Sequence, residues 1–112
     1  MLVVDDNPDD TMMNALLIRS MGHEVVTAET GAAAEKLVRR FRPEIIFLDM
    51  VLPDADGCHL ASELISALGS AVKIYILTAY VDDRAERRAL EAGCGAYLVK
   101  PLDPKVLQTL LS

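Results

Sequence analysis

Ile45-Ile46-Phe47-Leu48-Asp49, followed by Met50-Val51-Leu52-Pro53-Asp54-Ala55-Asp56-Gly57, is the stretch on which the reading of this chain turns. Apolar residues without polar alternation are what a strand covered on both faces needs, and such strands belong to parallel sheets packed between helices. The run breaks at a single carboxylate, and the proline, aspartates and glycine after it spell a loop. Working outward, Leu2-Val3-Val4 ends at Asp5-Asp6, and Val25-Val26-Thr27-Ala28 forms a second strand. Val72-Lys73-Ile74-Tyr75-Ile76-Leu77 ends at Thr78, and Tyr97-Leu98-Val99 ends at Lys100-Pro101. Between these runs lie stretches with a helical period. Strand and helix alternate, so the chain reads as βαβ units around a parallel sheet, an open, doubly wound α/β domain. In such sheets the residues that follow the strands collect at one edge, where ligands bind.

Asn7-Pro8 opens the first helix as a cap and first-turn proline, Met13, Leu16, Leu17 and Met21 form its expected inward stripe, and Gly22 stops it. Thr30 caps the second helix, with Ala34, Leu37, Val38 and Phe41 facing in and Pro43 preventing its continuation. Leu60, Leu64 and Leu68 define the third, which Gly69 ends. Asp83 and Glu86 resemble a capping box for a fourth helix reaching Gly93. Its apolar side is mostly alanine, Ala85, Ala89 and Ala92 with Leu90, so it should bury less area and move more easily than its neighbours. Asp103-Pro104 starts a last helix of about two turns, docking through Val106, Leu107, Leu110 and Leu111 and stopping at Ser112.

With 112 residues, 52% of them hydrophobic, the chain suits one core and one domain spanning 1–112. Eleven basic residues against seventeen acidic give a net charge of −6, which repels a phosphate backbone and argues against direct nucleic-acid binding. No apolar run nears the roughly 20 residues of a membrane span. Met1-Leu2-Val3-Val4-Asp5 lacks the basic and apolar regions of a secretory signal, so a cytoplasmic location without membrane contact is expected. Cys58 and Cys94 have neither CxxC nor framework spacing and read as reduced, partly buried thiols without a role. His23 and His59 read as surface histidines. The first strand starts almost at Met1 and the last helix is short, which favours a domain excised from a longer protein.

On this plan Asp5, Asp6, Asp49, Thr78 and Lys100 share one edge of the sheet. Carboxylates gathered within a few ångströms repel one another unless a cation neutralises them. Mg²⁺ suits such a site, because it prefers hard oxygen ligands at about 2.0–2.1 Å and keeps waters that an incoming phosphate can replace. Asp49, alone at the end of the most buried strand, is the best nucleophile, since a carboxylate can attack phosphorus in line to give an acyl phosphate. Lys100 supplies a point charge for the phosphoryl oxygens and Thr78 a hydroxyl donor.

In these residues the chain resembles the receiver domain of two-component response regulators and hybrid histidine kinases, across essentially its full length. The matching stretches are Val3-Val4-Asp5-Asp6-Asn7, Asp49-Met50-Val51-Leu52-Pro53 with Asp56-Gly57, Leu77-Thr78-Ala79, and Ala96-Tyr97-Leu98-Val99-Lys100-Pro101. The resemblance implies a flavodoxin-like, doubly wound (βα)5 fold with a five-stranded parallel sheet in order 2-1-3-4-5. It implies that Asp49 is the phosphoacceptor and that Asp5, Asp6 and Asp49 hold Mg²⁺ or Mn²⁺ together with the backbone carbonyl of Val51. Lys100 and Thr78 would bind the phosphoryl group, delivered by a phosphohistidine on a histidine kinase or histidine phosphotransfer protein. The Lys100-Pro101 bond would be cis, aiming the ammonium inward. Output would follow from a population shift: Thr78 moves toward the phosphoryl group, its loop follows, and Tyr97 turns from solvent into the vacated space. That alters the surface of the fourth helix, fifth strand and fifth helix, which is also the implied homodimer face. The chain would be no enzyme toward a separate substrate, catalysing only its own phosphorylation and slow dephosphorylation.

Some positions depart from the family pattern. Val51 and Tyr80 occupy the two positions that tune hydrolysis of the acyl phosphate, and neither offers an amide or carboxylate to orient water. Slow self-dephosphorylation is therefore expected, with Tyr80 shielding the phosphoryl group. Gly93-Cys94-Gly95-Ala96 lacks the acidic pair of the charge-laced dimers, and the last helix lacks its arginine partners. A phosphorylation-independent pseudo-receiver, an interaction module in the same fold, is the alternative; the complete set of Asp5, Asp6, Asp49, Thr78 and Lys100 counts against it. A flavin mononucleotide binder would need a glycine-rich phosphate loop where Asp5-Asp6-Asn7-Pro8-Asp9-Asp10 stands. An aspartyl-phosphate phosphatase would want a second acid where Val51 stands.

Overall fold

The strand read from Ile45 to Leu48 runs from Ile45–Asp49 and lies at the centre of a five-stranded parallel sheet. The structure is a computed structural model that describes residues 1–69 and 71–111. Along the chain the elements are β1 (Leu2–Val4), α1 (Pro8–Ser20), β2 (Val26–Ala28), α2 (Gly31–Phe41), β3 (Ile45–Asp49) and α3 (Gly57–Leu68). They continue with β4 (Lys73–Thr78), α4 (Asp83–Glu91), β5 (Ala96–Val99) and α5 (Pro104–Leu111). The strand order is β2-β1-β3-β4-β5, as the resemblance implied. Ser112, where the sequence reading stops the last helix, lies outside the described residues. Among those residues no helix is long and apolar enough to cross a membrane.

Because alternate strand residues point to opposite faces, the sheet builds two cores. Leu2, Val4, Ile46, Leu48, Ile74 and Ile76 face one way, against Ala34 and Val38 of α2, Leu60 and Leu64 of α3, and Ala89 of α4. Val3, Phe47, Tyr75 and Leu77 face the other way, against Ala15 and Ile18 of α1 and Leu107 of α5. Phe47 and Tyr75 are register partners on β3 and β4, and their rings stack tilted at 50° with centroids 5.5 Å apart.

Caps start most helices where the sequence placed them. Asn7 Oδ1 accepts from the N–H groups of Asp9 and Asp10, and Thr30 Oγ1 accepts from Ala33 N–H. The cap of α4 is Asp82 rather than Asp83, its carboxylate accepting from the N–H groups of Arg84 and Ala85.

The phase of α1 also differs from its expected stripe. Thr11, Asn14, Ala15 and Ile18 are buried, Leu17 and Met21 pack at the margin, and Met13 and Leu16 stand 63% and 59% exposed. The cause is local and polar. Thr11 Oγ1 sits 3.0 Å from the Asp5 carbonyl and 2.9 Å from the Asn7 carbonyl, and this hydroxyl turns its own side of the helix to the sheet. On α2, Phe41 is exposed and its ring lies 5.8 Å from the Arg40 guanidinium carbon, so Ala33, Ala34, Leu37 and Val38 form the packed face without it. On α4 Leu90 is exposed, leaving Ala89 as the helix's one fully buried side chain.

After Asp49 the loop doubles back. Val51 and Asp56 form an antiparallel bridge, Leu52 N–H donates to the Ala55 carbonyl at 3.1 Å, and Gly57 N–H donates to the Met50 carbonyl at 2.8 Å. A Cβ at Gly57 would collide with the Asp49 carbonyl and the Met50 backbone, neither of which can swing aside. Gly57→Ala is therefore expected to destabilise the protein by about 1–3 kcal/mol in urea denaturation. No measurable loss would show that the loop has freedom this packing denies it.

Candidate functional site

Each polar residue at the carboxyl edge is fixed by a backbone bond that prolongs the sheet. Asp5 N–H donates to the Ala28 carbonyl at 3.0 Å, Met50 N–H to Leu77 at 2.9 Å, and Lys100 N–H to Thr78 at 2.7 Å. Asp5, Asp49, Thr78 and Lys100 thus leave the sheet at one edge. Asp5 is wholly buried, Asp49 and Thr78 nearly so, and Asp6 is exposed. One carboxylate oxygen from each of Asp5, Asp6 and Asp49 lies within 4.8 Å of the others. The three acids singled out in the sequence are therefore together.

Lys100 joins them. Its Nζ donates to Asp5 Oδ2 at 2.7 Å and to Asp49 Oδ2 at 3.3 Å. A third acceptor, Asp10 Oδ2 at 3.3 Å, comes from the first turn of α1 and was not singled out in the sequence. Its signal was there: an acid three residues after the Asn7 cap, one helical turn from the strand end, points back over that edge. The Lys100-Pro101 bond is cis.

Burial pushes the Asp49 carboxyl above its ordinary range; Lys100 pulls it down, and the neighbouring Asp5 adds to the rise. For Lys100, burial works against the charge. The hydrogen bond to Asp5, the charges of Asp49 and Asp5, and the bond to Asp10 outweigh it and hold the proton well above the usual lysine range. The site thus sets the buried Asp49 carboxyl beside an ammonium whose proton is held firmly. The clustered set is made of hard carboxylate oxygens with an acid excess over the single ammonium, and that donor chemistry fits Mg²⁺ or Mn²⁺.

Thr78 ends β4, the strand next to β3, and its Oγ1 accepts from Tyr80 N–H at 3.3 Å, a bond that uses a lone pair and leaves the hydroxyl proton to donate. The Tyr97 hydroxyl donates to the Tyr80 carbonyl at 3.1 Å, and its ring is half-buried against the core rather than out in solvent. Val51 and Tyr80 side chains are both exposed, and Val51 N–H donates to Asp49 Oδ1 at 3.3 Å.

Two further aspartates hold the loop. Asp54 accepts from Gly31 N–H at 2.8 Å and Ala32 N–H at 3.0 Å at the start of α2, bonds that lower its carboxyl below the ordinary range. Asp56 caps α3 and accepts from Arg88 Nη2 of α4 at 3.0 Å. Burial would raise its carboxyl, but Arg88 and the cap bonds outweigh that and lower it. The sequence placed Asp56-Gly57 in the loop after Asp49; it showed neither the cap at Asp56 nor the reach of Arg88 across 32 residues. Cys58 and Cys94 are free and buried, and burial raises both thiols, Cys94 to about 11, in keeping with inert side chains. His59 pairs with Glu63 on the exposed side of α3.

Residues 1–112 match the family of response regulator receiver domains. The chain is similar to the DNA-binding response regulator MtrA of Mycolicibacterium smegmatis, 35% identical over 106 residues, which cover 95% of this chain and 46% of MtrA. It spans about half the length of the curated relatives it first matches. Among solved structures it is similar to the BeF3-activated N-terminal receiver domain of Klebsiella pneumoniae RstA, with TM-score 0.90, 29% identity and coverage of 98% of this chain and 92% of that one. It is likewise similar to a Burkholderia pseudomallei response regulator solved with a phosphorylated aspartic acid, calcium ion and citrate. There the TM-score is 0.90, the identity 28%, and coverage 99% of this chain and 65% of that one.

An unfolded chain cannot gather Asp5, Asp6 and Asp49, so Mg²⁺ is expected to stabilise the fold by about 2.7 kcal/mol at 100 times its Kd and thereby to raise the melting temperature. Asp6→Asn removes one like charge, and is expected to raise the metal-free melting temperature and shrink the Mg²⁺ response. Thermal unfolding with and without millimolar Mg²⁺ checks both; no response in the original chain would remove the cation site.

Proposed function

This chain belongs to the receiver domain family of response regulators, and from that membership we propose that residues 1–112 form one receiver domain that accepts a phosphoryl group on Asp49. The observation that carries the reading is the meeting of Asp5, Asp6, Asp49 and the Lys100 ammonium at one sheet edge. The donor is a phosphohistidine of a histidine kinase or phosphotransfer protein. An Asp49 carboxylate oxygen forms the new P–O bond as the P–N bond breaks, and the electron pair of that bond returns to the imidazole nitrogen, which takes up a proton.

Asp5, Asp6 and Asp49, with the Val51 carbonyl, would hold Mg²⁺ or Mn²⁺, which supplies positive charge against the phosphoryl oxygens when bound. Lys100 moves its charge from the Asp49 carboxylate to a phosphoryl oxygen, and Thr78 donates its free proton to another. The Thr78 shift then draws on the Tyr80 backbone, to whose N–H Thr78 and to whose carbonyl Tyr97 are bonded. Tyr97 exchanges between its half-buried place and solvent, and the α4-β5-α5 face changes with it. That face, with Val81, Leu90, Val99 and Val106 exposed, is the surface for a downstream partner or a second copy. Val51 and Tyr80 place no amide or carboxylate to orient an attacking water, which supports a slow return to the unphosphorylated state.

The test is intact mass after incubation with acetyl phosphate and Mg²⁺. A gain of one phosphoryl group, absent in Asp49→Asn and without Mg²⁺, is expected, with the adduct outlasting seconds in Mg²⁺. A folded, Mg²⁺-binding chain that gains no mass, from acetyl phosphate or from a phosphohistidine donor, would instead favour a phosphorylation-independent interaction module.

A further inference from the structure

We propose that Asp10 is a positioning residue of the phosphoryl site, an internal anion that holds Lys100 when no phosphoryl group is present and competes with that group for the ammonium. The inference rests on Asp49 being the phosphoacceptor.

Three carboxylates share Lys100 Nζ, and they differ in what else they do. Asp5 and Asp49 belong to the clustered set of acids that fits a divalent cation; Asp10 does not. Asp5 and Asp49 sit at strand ends, whereas Asp10 comes from a helix packed over the same edge. Nor is the Asp10 carboxylate a cap, because Asn7 Oδ1 already accepts from the N–H groups of Asp9 and Asp10. Its position among the described contacts is set by the ammonium, and at 39% exposure against 0% for Asp5 it is the partner that water can most readily replace.

With a phosphoryl group on Asp49, Lys100 must leave Asp10 or stand between two anions. In either case the Asp10 charge disfavours an anionic group at Asp49, by loss of an ion pair or by repulsion. The same charge holds the ammonium close to the acceptor between events. Asp10 therefore sets how strongly the site retains a phosphoryl anion without touching it.

Beryllofluoride, an anionic phosphoryl mimic, separates this role from a structural one. It is titrated at saturating Mg²⁺ into the original chain, Asp10→Asn, Asp10→Glu and Asp49→Asn, with Mg²⁺ affinity measured apart. Asp10→Asn keeps an acceptor oxygen without its charge and is expected to bind beryllofluoride about threefold or more tightly. Its Mg²⁺ affinity should change by less than about twofold, and Asp10→Glu should return to the original beryllofluoride affinity. A purely structural role would lower the melting temperature without splitting the two affinities. Equal or weaker beryllofluoride binding by folded Asp10→Asn overturns the inference and leaves the phosphoacceptor reading standing. If the original chain binds no beryllofluoride, or Asp49→Asn binds it equally well, the phosphoacceptor reading fails and the inference fails with it.

Discussion

The ammonium of Lys100, shared among Asp5, Asp49 and Asp10, is the interaction around which this molecule is arranged. A carboxylate as fully buried as Asp5 is tolerated only when its charge is met. Its partner lies 95 residues away in sequence and comes from the far end of the sheet. The pair can form only once β3 and β4 have been laid between β1 and β5, so it rewards the complete strand order rather than any local piece. The parallel arrangement supplies the other half of the constraint: every strand must deliver its terminal residue to the same edge.

Around that pair the structure divides labour between its two cores and its edge. The cores hold strands that carry almost no polar side chains, which fixes their height relative to one another. The edge carries bonds of another kind, single contacts between a side chain and a backbone. Tyr80 is bonded through its N–H to Thr78 and through its carbonyl to Tyr97, so one residue, across its two successive peptide planes, joins β4 to β5 beyond the ladder. A helix that follows such a joint and presents chiefly Ala89 to the core buries little apolar area against the sheet.

The sequence was most legible where physics is periodic or local. The apolar run before Asp49, the turn residues after it and the caps at Asn7 and Thr30 all name their own roles, and the acids at the strand ends follow from the topology. It was less legible where a polar contact competes with apolar periodicity. Met13 and Leu16 match an inward stripe as well as Ala15 and Ile18 do, and only the bond between Thr11 and the Asp5 carbonyl decides the phase. Phe41 similarly satisfies the period of α2 but is that helix's last residue and stays exposed. Asp10 and Arg88 could not be assigned partners, because those partners are chosen by where other elements come to rest.

The loop after Asp49 is mounted at more points than its length suggests. Asp54 is bolted to the first turn of α2, Asp56 to α3 and to Arg88 of α4, and Gly57 is pressed against the backbone of Asp49 itself. A segment fixed in this way has little slack in which to dissipate a local displacement. In mechanical terms it is a bracket with three fixings, all to helices on the opposite side of the sheet from α1 and α5. Helices α2, α3 and α4 are thus tied together through the segment that follows Asp49, and three helices of one small domain share a single mount.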